Sequence, residues 1–326
     1  MKLRLRILFL LMCTFAVFLY GQQPLLQDGQ VIVTLGNSIT EGGERPEGYV
    51  NLLRRAMAVL YPEMAVYFVN AGIGGHKSTD MFDRYERDVL QVAPDWVTIS
   101  VGVNDVWHGF KDHPQGDGPL AVPLPQYKEK LVRMIELAKG RNIRVALFTA
   151  TVIKEDLSSL ENQKLLPYNQ AVRDIAKKYK CVLVDQDAAC RQILQPLQKP
   201  GMADRGVLTS DGVHMLASGN WLMAKTALIA FGVPAERLEK ARPLIDKLVN
   251  ADKEALQKNL TRYETANYEL GPAAAGAVRY VFYGSSSVER WRLKDDFSDL
   301  CFLNRGIGGE QSRQMVLRFR DRKSVV

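Results

Sequence analysis

From residue 31 to residue 231 the chain alternates short apolar runs with longer segments of helical periodicity. That rhythm excludes most folds before any motif is considered. The runs at 31–35, 65–69, 96–101, 145–149 and 182–184 have the length and composition of buried strands. The segments 49–60, 79–90, 126–139, 163–178 and 216–231 carry apolar residues at helical spacing. In 126–139, for example, Leu131, Met134, Ile135 and Ala138 share one face. Strands that alternate with amphipathic helices form a parallel sheet covered on both faces. Right-handed crossovers leave few topologies, so the expected fold is α/β, a doubly wound, flavodoxin-like parallel sheet of about five strands. In such sheets the working groups gather at the carboxyl ends of the strands. Ser38, Gly75 and Asn104 each follow a predicted strand closely.

The N-terminus stands apart from this pattern. Lys2, Arg4 and Arg6 precede an apolar run from residue 7 to residue 20, followed by Gly21-Gln22-Gln23. A basic start, a short hydrophobic stretch and a small residue describe a secretory signal peptide, which predicts cleavage near Gly21 and a secreted or periplasmic protein. The run is too short for a comfortable span, so no stable membrane span is expected after cleavage. Cys13 lies too early in it for lipid attachment. Loss of Lys2, Arg4 and Arg6 lowers the formal charge from +7 to +4. No Lys/Arg run or basic aromatic face remains to bind nucleic acid. A hydrophobic fraction of 47% is enough to bury a sizeable core without disulfides. Of the remaining cysteines, Cys181 and Cys190 either pair in an oxidising compartment or stay as two separate buried thiols. No Cys, His or acidic spacing matches a metal site, and no metal or cofactor is expected. His76, His108 and His113 read as solvated or locally hydrogen-bonded histidines. Trp107 and His108 follow Asn104-Asp105 closely enough to line a cleft.

The chemistry concentrates in a few residues. Ser38 sits in a tight turn, in Leu35-Gly36-Asn37-Ser38-Ile39-Thr40. A free serine is a poor nucleophile and needs a neighbouring base. His214 is the best candidate, and Asp211 three residues earlier supplies from the same loop a carboxylate to orient it. An attacked carbonyl also needs donors for its developing oxyanion. Gly75 offers a backbone N–H within Asn70-Ala71-Gly72-Ile73-Gly74-Gly75, and Asn104 offers a side-chain amide within Gly102-Val103-Asn104-Asp105.

Taken in order, the blocks Gly36-Asn37-Ser38-Ile39, Asn70 to Gly75, Gly102-Val103-Asn104-Asp105 and Asp211-Gly212-Val213-His214 resemble those of the SGNH/GDSL hydrolases. The resemblance spans about residues 31 to 231. It implies Ser38 as nucleophile, His214 as base and Asp211 as its orienting carboxylate. It also implies an oxyanion hole from Ser38 N–H, Gly75 N–H and Asn104, and ester or thioester hydrolysis without metal or organic cofactor. One position departs from the family, which usually has Asp where this chain has Asn37; the expectation is an adjusted turn with catalysis retained. The expected function is a secreted serine esterase, acting on a small-molecule or polysaccharide ester and removing acetyl groups from carbohydrate. The alternatives are a lysophospholipase or thioesterase for longer acyl chains, and an inactive glycan-binding module.

The nucleophile motif recurs. Tyr283-Gly284-Ser285-Ser286-Ser287-Val288 and Asn304-Arg305-Gly306-Ile307-Gly308-Gly309 repeat the first two blocks, so that Ser286 corresponds to Ser38 and Gly309 to Gly75. The expected organisation is a signal peptide at 1–21 and an SGNH hydrolase domain at 25–235. A helical tether and linker follows at 236–277, interrupted at Pro243, and then an incomplete second SGNH domain at 278–326. Only 17 residues follow Gly309, whereas Gly75 to His214 takes 139 positions. The last six residues back-translate as GATCGGAAGAGCGTCGTG, which resembles a sequencing-adapter read. The expectation is therefore a truncated sequence, and a natural protein with two such domains in tandem.

Overall fold

The computed structural model describes residues 23–262, together with 280–282, 302–304 and residue 307. The signal segment, Ser286, Gly309 and Cys301 lie outside the described residues. Those at 23–43 and 47–245 belong to one compact unit, and those from 246 onward, with 44–46, to a second.

Five parallel strands build the first unit: β1 (Val31–Gly36), β2 (Tyr67–Gly72), β3 (Trp96–Ser100), β4 (Arg144–Phe148) and β5 (Val182–Val184). Their order is β2-β1-β3-β4-β5, the flavodoxin-like arrangement expected from the alternation. The helices in chain order are α1 (Ser38–Gly42), α2 (Tyr49–Leu60), α3 (Ser78–Asp83), α4 (Val103–Trp107), α5 (Leu124–Gly140), α6 (Leu160–Tyr179), α7 (Gln186–Leu194), α8 (Ala217–Ala230) and α9 (Ala235–Thr261). Among the described residues no helix is long and apolar enough to cross a membrane.

The side-chain period of two sorts the strands onto two faces. Val33, Leu35, Val97, Ile99, Val145 and Leu147 meet Tyr127, Leu131, Met134 and Ile135 of α5 and Val172 and Ile175 of α6 in one buried cluster. On the other face Phe148 lies 6.3 Å from Tyr49 of α2, and Trp96 meets Phe231 edge-on at 5.4 Å. Leu131, Met134 and Ile135 are almost fully buried. Each contributes about 1.5–3 kcal/mol by leaving water, which is what holds α5 against the sheet.

Several boundaries differ from the sequence expectation, each for a tertiary reason. The second strand ends at Gly72 rather than at residue 69, because its ladder with β1 continues from Val31↔Tyr67 to Gly36↔Gly72. Asn70 and the following small residues read locally as a turn, yet they are paired. The expected helix at 79–90 is instead α3 followed by a π-helical turn, Glu86–Leu90, closed by Gln91 N–H to Glu86 O at 2.9 Å. The wider turn keeps Tyr85, Val89 and Leu90 all buried. Pro243 does not interrupt α9, which runs unbroken from Ala235 to Thr261. The turn before it is anchored by Arg237, which donates to Leu60 O at 2.8 Å, and by Arg242, stacked 3.9 Å from the Trp221 ring. The compact unit accordingly reaches Ile245. Cys181 and Cys190 are both free thiols, Cys190 fully buried.

In the second unit, β6 (Tyr280–Phe282) and β7 (Phe302–Asn304) pair in parallel, with Tyr280↔Phe302, Val281↔Leu303 and Phe282↔Asn304. Aligning Ser286 with Ser38 and Gly309 with Gly75 places Tyr280 on Ile32 and Phe302 on Phe68. Ile32 and Phe68 are themselves partners in the β1–β2 ladder. The repeated sequences therefore pair in the same register in both units.

Candidate active site

The strand order reverses between β1 and β3, and that switch point is where open α/β sheets bind ligands. Ser38 leaves the end of β1, and Asn104 lies just beyond β3. Asn37 caps α1, its Oδ1 accepting Ile39 N–H at 3.0 Å. A neutral amide oxygen meets this need as well as a carboxylate would, which accounts for Asn at a position where Asp is usual. Ser38 is then the first residue of α1, where a backbone N–H has no intrahelical acceptor.

Close backbone approach packs α1 onto the end of β2. A methyl group on Gly72 would lie 2.1 Å from Glu41 N, so only glycine fits there. Asn70 completes the junction, its Nδ2 donating to Thr40 O at 2.5 Å and its Oδ1 accepting Gly72 N–H at 2.8 Å. The glycine turn that follows passes beside the nucleophile: a methyl on Gly74 would lie 3.8 Å from Ser38 Cβ. Gly75 takes φ +78°, a left-handed conformation natural to glycine.

His214 arrives from a loop before α8. Its Nε2 is 2.8 Å from Ser38 Oγ, and its Nδ1 is 2.6 Å from Asp211 Oδ2. Asp211 Oδ1 also accepts the N–H groups of Val213 at 3.0 Å and His214 at 2.8 Å, which closes a tight turn. Burial pushes the Asp211 carboxyl up, but the hydrogen bonds from the His214 ring, His214 N–H and Val213 N–H outweigh it and hold it below the usual carboxylate range. Both Asp211 and His214 are substantially exposed, at 45% and 42%. The Ser–His–Asp line thus lies open to solvent.

Asn104 is buried, and one hydrogen of its amide is donated to His76 O at 3.0 Å. The second hydrogen remains for another acceptor. The neighbouring Asp105 is fully buried and ties the two loops together, Oδ1 accepting Ser78 N–H at 3.0 Å and Ser78 O–H at 2.5 Å. Burial raises Asp105 to about 6, although the Ser78 hydroxyl and amide pull the other way. Of the five sequence-nominated residues, Ser38 and Asn104 lie in the first turns of α1 and α4, just beyond β1 and β3, and Gly75, Asp211 and His214 lie on loops. Direct distances join Ser38, Asp211 and His214 into one line. His76 is hydrogen-bonded locally, as expected, through Arg84 Nε at 3.1 Å, whereas His113 is exposed and 3.9 Å from Asp117. Trp107 is one of the exposed large apolar residues.

Two contributors carried no sequence signal. Glu155 is fully buried, and its carboxylate accepts from Val207 N–H (2.9 Å), Leu208 N–H (2.7 Å), Thr209 N–H (2.7 Å) and Thr209 O–H (2.8 Å). Those residues begin the loop that carries the Asp–His pair. Ser210 N–H to His214 O at 2.8 Å and Leu216 N–H to Leu208 O at 2.8 Å fold it back on itself. Lys154, at a left-handed φ of 68°, adds N–H to Gly212 O at 2.7 Å. Arg84 is the second contributor. Both are charged residues far in sequence from what they hold, and no local pattern marks them.

The chain is similar to proteins of known family and structure. The model of the GDSL-like Lipase/Acylhydrolase family matches residues 34–222. An acetylxylan esterase of Geobacillus stearothermophilus is 29% identical over 219 residues, covering 63% of this chain and 94% of that protein. The solved structure of LAE5, an alpha/beta hydrolase enzyme from the metagenome of Lake Arreo, Spain, superposes with a TM-score of 0.57 at 26% identity. It covers 64% of this chain and 98% of that one. Solved forms of the Geobacillus stearothermophilus acetylxylan esterase Axe2 include catalytic mutants in which a serine, an aspartate or a histidine is replaced by alanine. There the aspartate and histidine are three positions apart, the spacing of Asp211 and His214 here.

Proposed function

The chain belongs to the GDSL-like lipase/acylhydrolase family and is an ester hydrolase; from that premise we propose an exported carbohydrate O-acetylesterase with Ser38 as its nucleophile. The observation that carries the proposal is the unbroken line from Asp211 through His214 to Ser38, with contacts of 2.6 and 2.8 Å.

In the proposed cycle Ser38 Oγ attacks the ester carbonyl carbon while its proton passes to His214 Nε2. Asp211, ionised and bound to Nδ1, keeps the imidazole in the required tautomer and stabilises the imidazolium. The carbonyl oxygen becomes an oxyanion that accepts from Ser38 N–H, Gly75 N–H and the free hydrogen of Asn104 Nδ2. Collapse breaks the bond to the alcohol oxygen, which leaves with the proton from Nε2 as a sugar hydroxyl. Water then attacks the acyl-serine and gives a proton to Nε2, which returns it to Ser38 Oγ as acetic acid departs and ionises in solvent. No step requires a metal or an organic cofactor.

Acetate as the acyl group is supported by the similarity to acetylxylan esterases. Export is supported by the basic-then-apolar N-terminus and by a 26% identical relative named as a lipoprotein, YqeF of Bacillus subtilis, which this chain matches over 179 residues. A second hydrolase copy in the C-terminal unit is supported by the repeated motifs and the shared strand register.

The test is hydrolysis of p-nitrophenyl acetate and p-nitrophenyl palmitate, alongside acetylated xylo-oligosaccharides, by the full chain and by Ser38→Ala. Ser38→Ala is expected to lower kcat by on the order of 10⁴- to 10⁶-fold while leaving the protein folded. Activity that survives Ser38→Ala would sink the nucleophile assignment. Comparable turnover of palmitate would replace the acetylesterase by a longer-chain acylhydrolase, and a folded protein inert on every ester would favour the binding module.

A further inference from the structure

One buried guanidinium joins the two turns that carry the reacting groups. Arg84 is 6% exposed, and its three nitrogens go to three places. Nη2 donates to Gly36 O at 2.9 Å, the carbonyl two residues before Ser38. Nε donates to His76 Nδ1 at 3.1 Å, on the residue that follows Gly75. Nη1 donates to Asp88 Oδ2 at 2.6 Å, which balances the charge. His76 passes the connection on, since its carbonyl accepts Asn104 Nδ2 at 3.0 Å. A planar, permanently charged fork thus spans the end of β1, the glycine turn and, through His76, the Asn104 amide.

We infer that Arg84 is a positioning residue for this hydrolysis, fixing the glycine turn and the Asn104 amide against the serine turn without touching substrate. The inference rests on the reading of Ser38 given above. Its physical basis is that oxyanion donors accelerate a reaction only when they are held in place beforehand. A misplacement of about 1 Å costs on the order of 100-fold. Gly74 and Gly75 have no side chains with which to pack, so the turn is held from the residues that flank it: Ile73 by its N–H to Gly36 O at 3.1 Å, and His76 by its ring to Arg84 at 3.1 Å.

The contact also fixes the state of His76. Accepting a hydrogen bond at Nδ1 requires that nitrogen to be unprotonated, so the proton resides on Nε2. Burial first, and then the Arg84 charge, hold the imidazole below the usual histidine range, against the opposing pull of Asp80, Asp88 and Glu41. The tautomer can be read without reference to turnover. Two of its partners keep another bond without Arg84: Gly36 O also accepts Ile73 N–H at 3.1 Å, and Asp88 keeps Arg87 Nε at 2.5 Å.

The experiment compares the full chain with Arg84→Met and Arg84→Lys. The readouts are p-nitrophenyl acetate kinetics, thermal melting, and the imidazole ¹⁵N shifts of His76 at neutral pH. In folded Arg84→Met, kcat is expected to fall by on the order of 10- to 100-fold, with KM changing less than about threefold. His76 should shift from the Nε2–H tautomer to a mixture. Arg84→Lys keeps the charge but not the fork, and is expected to follow Arg84→Met. It also decides the matter if Arg84→Met does not fold. Parent-like kcat in either folded variant, or an unchanged His76 tautomer, would overturn the inference. A parent lacking Ser38-dependent turnover would instead defeat the reading of Ser38, and the inference with it.

Discussion

Replacing Glu155 by glutamine tests whether a buried carboxylate remote from the reacting atoms sets the position of His214. The carboxylate is fully buried and holds three consecutive backbone N–H groups and one hydroxyl. A glutamine oxygen in place of Oε1 keeps Leu208 and Thr209, but its NH₂ then faces Val207 N–H across 2.9 Å, donor against donor. The remaining bonds lose their charge assistance, Val207 N–H keeps only its longer bond to Oε1 at 3.2 Å, and the new NH₂ group meets a donor instead of an acceptor. A hydrogen bond to a charged group contributes about 1.5–3 kcal/mol against about 1 for a neutral one, and an unpaired buried group costs about 1–3 kcal/mol. The neutral side chain is cheaper to bury, which offsets part of this. The expected net loss is about 2–4 kcal/mol, or about 5–15 °C in Tm for a unit of this size. The loop also carries the proposed base, so kcat on p-nitrophenyl acetate is expected to fall at least about tenfold below the melting range, with KM little changed. The assay is thermal melting by circular dichroism, paired with steady-state kinetics at 25 °C. A Tm within about 2 °C of the parent, together with unchanged kcat, would refute the argument that this carboxylate anchors the loop.

Three further outcomes are expected. Asp211→Asn should lower kcat by on the order of 10⁴-fold, because the amide selects the wrong imidazole tautomer; a loss under tenfold would remove Asp211 from the mechanism. Asp105 has a folded pKa raised to about 6, so the folded state binds the proton more tightly. Its penalty is absent below the unfolded value near 3.9 and complete above about 6, amounting to about 3 kcal/mol. Asp105→Asn should therefore gain stability relative to the parent between pH 4 and pH 7 in paired melting curves, and parallel curves would contradict the burial argument. Gly72→Ala places a methyl 2.1 Å from Glu41 N and must displace α1. It should lower both Tm and kcat, whereas a parent-like enzyme would show that the close approach is not required.

The sequence by itself determined the architecture and the trio proposed to react. The two periodicities, about 2 for strands and 3.6 for helices, are local properties of the chain, and the chirality of crossovers converts their alternation into one sheet order. Ser38, Asp211 and His214 were legible because each sits in a short motif whose residue types have few other uses together. Residues 173 and 176 positions beyond Ser38 meet it because the loop between α7 and α8 returns to the end of the sheet from which β1 leads into Ser38. Local patterns failed where long-range partners prevailed. The β1 ladder extends β2 through Asn70 to Gly72, burial of Tyr85, Val89 and Leu90 opens a π turn, and α9 runs through Pro243. The tertiary structure alone decided what holds the trio in place. Glu155 reaches Thr209 across 54 positions, and Arg84 reaches back 48 to Gly36. A buried charge is acceptable only where the fold supplies its partners, and those partners are invisible until distant segments of the chain are brought together.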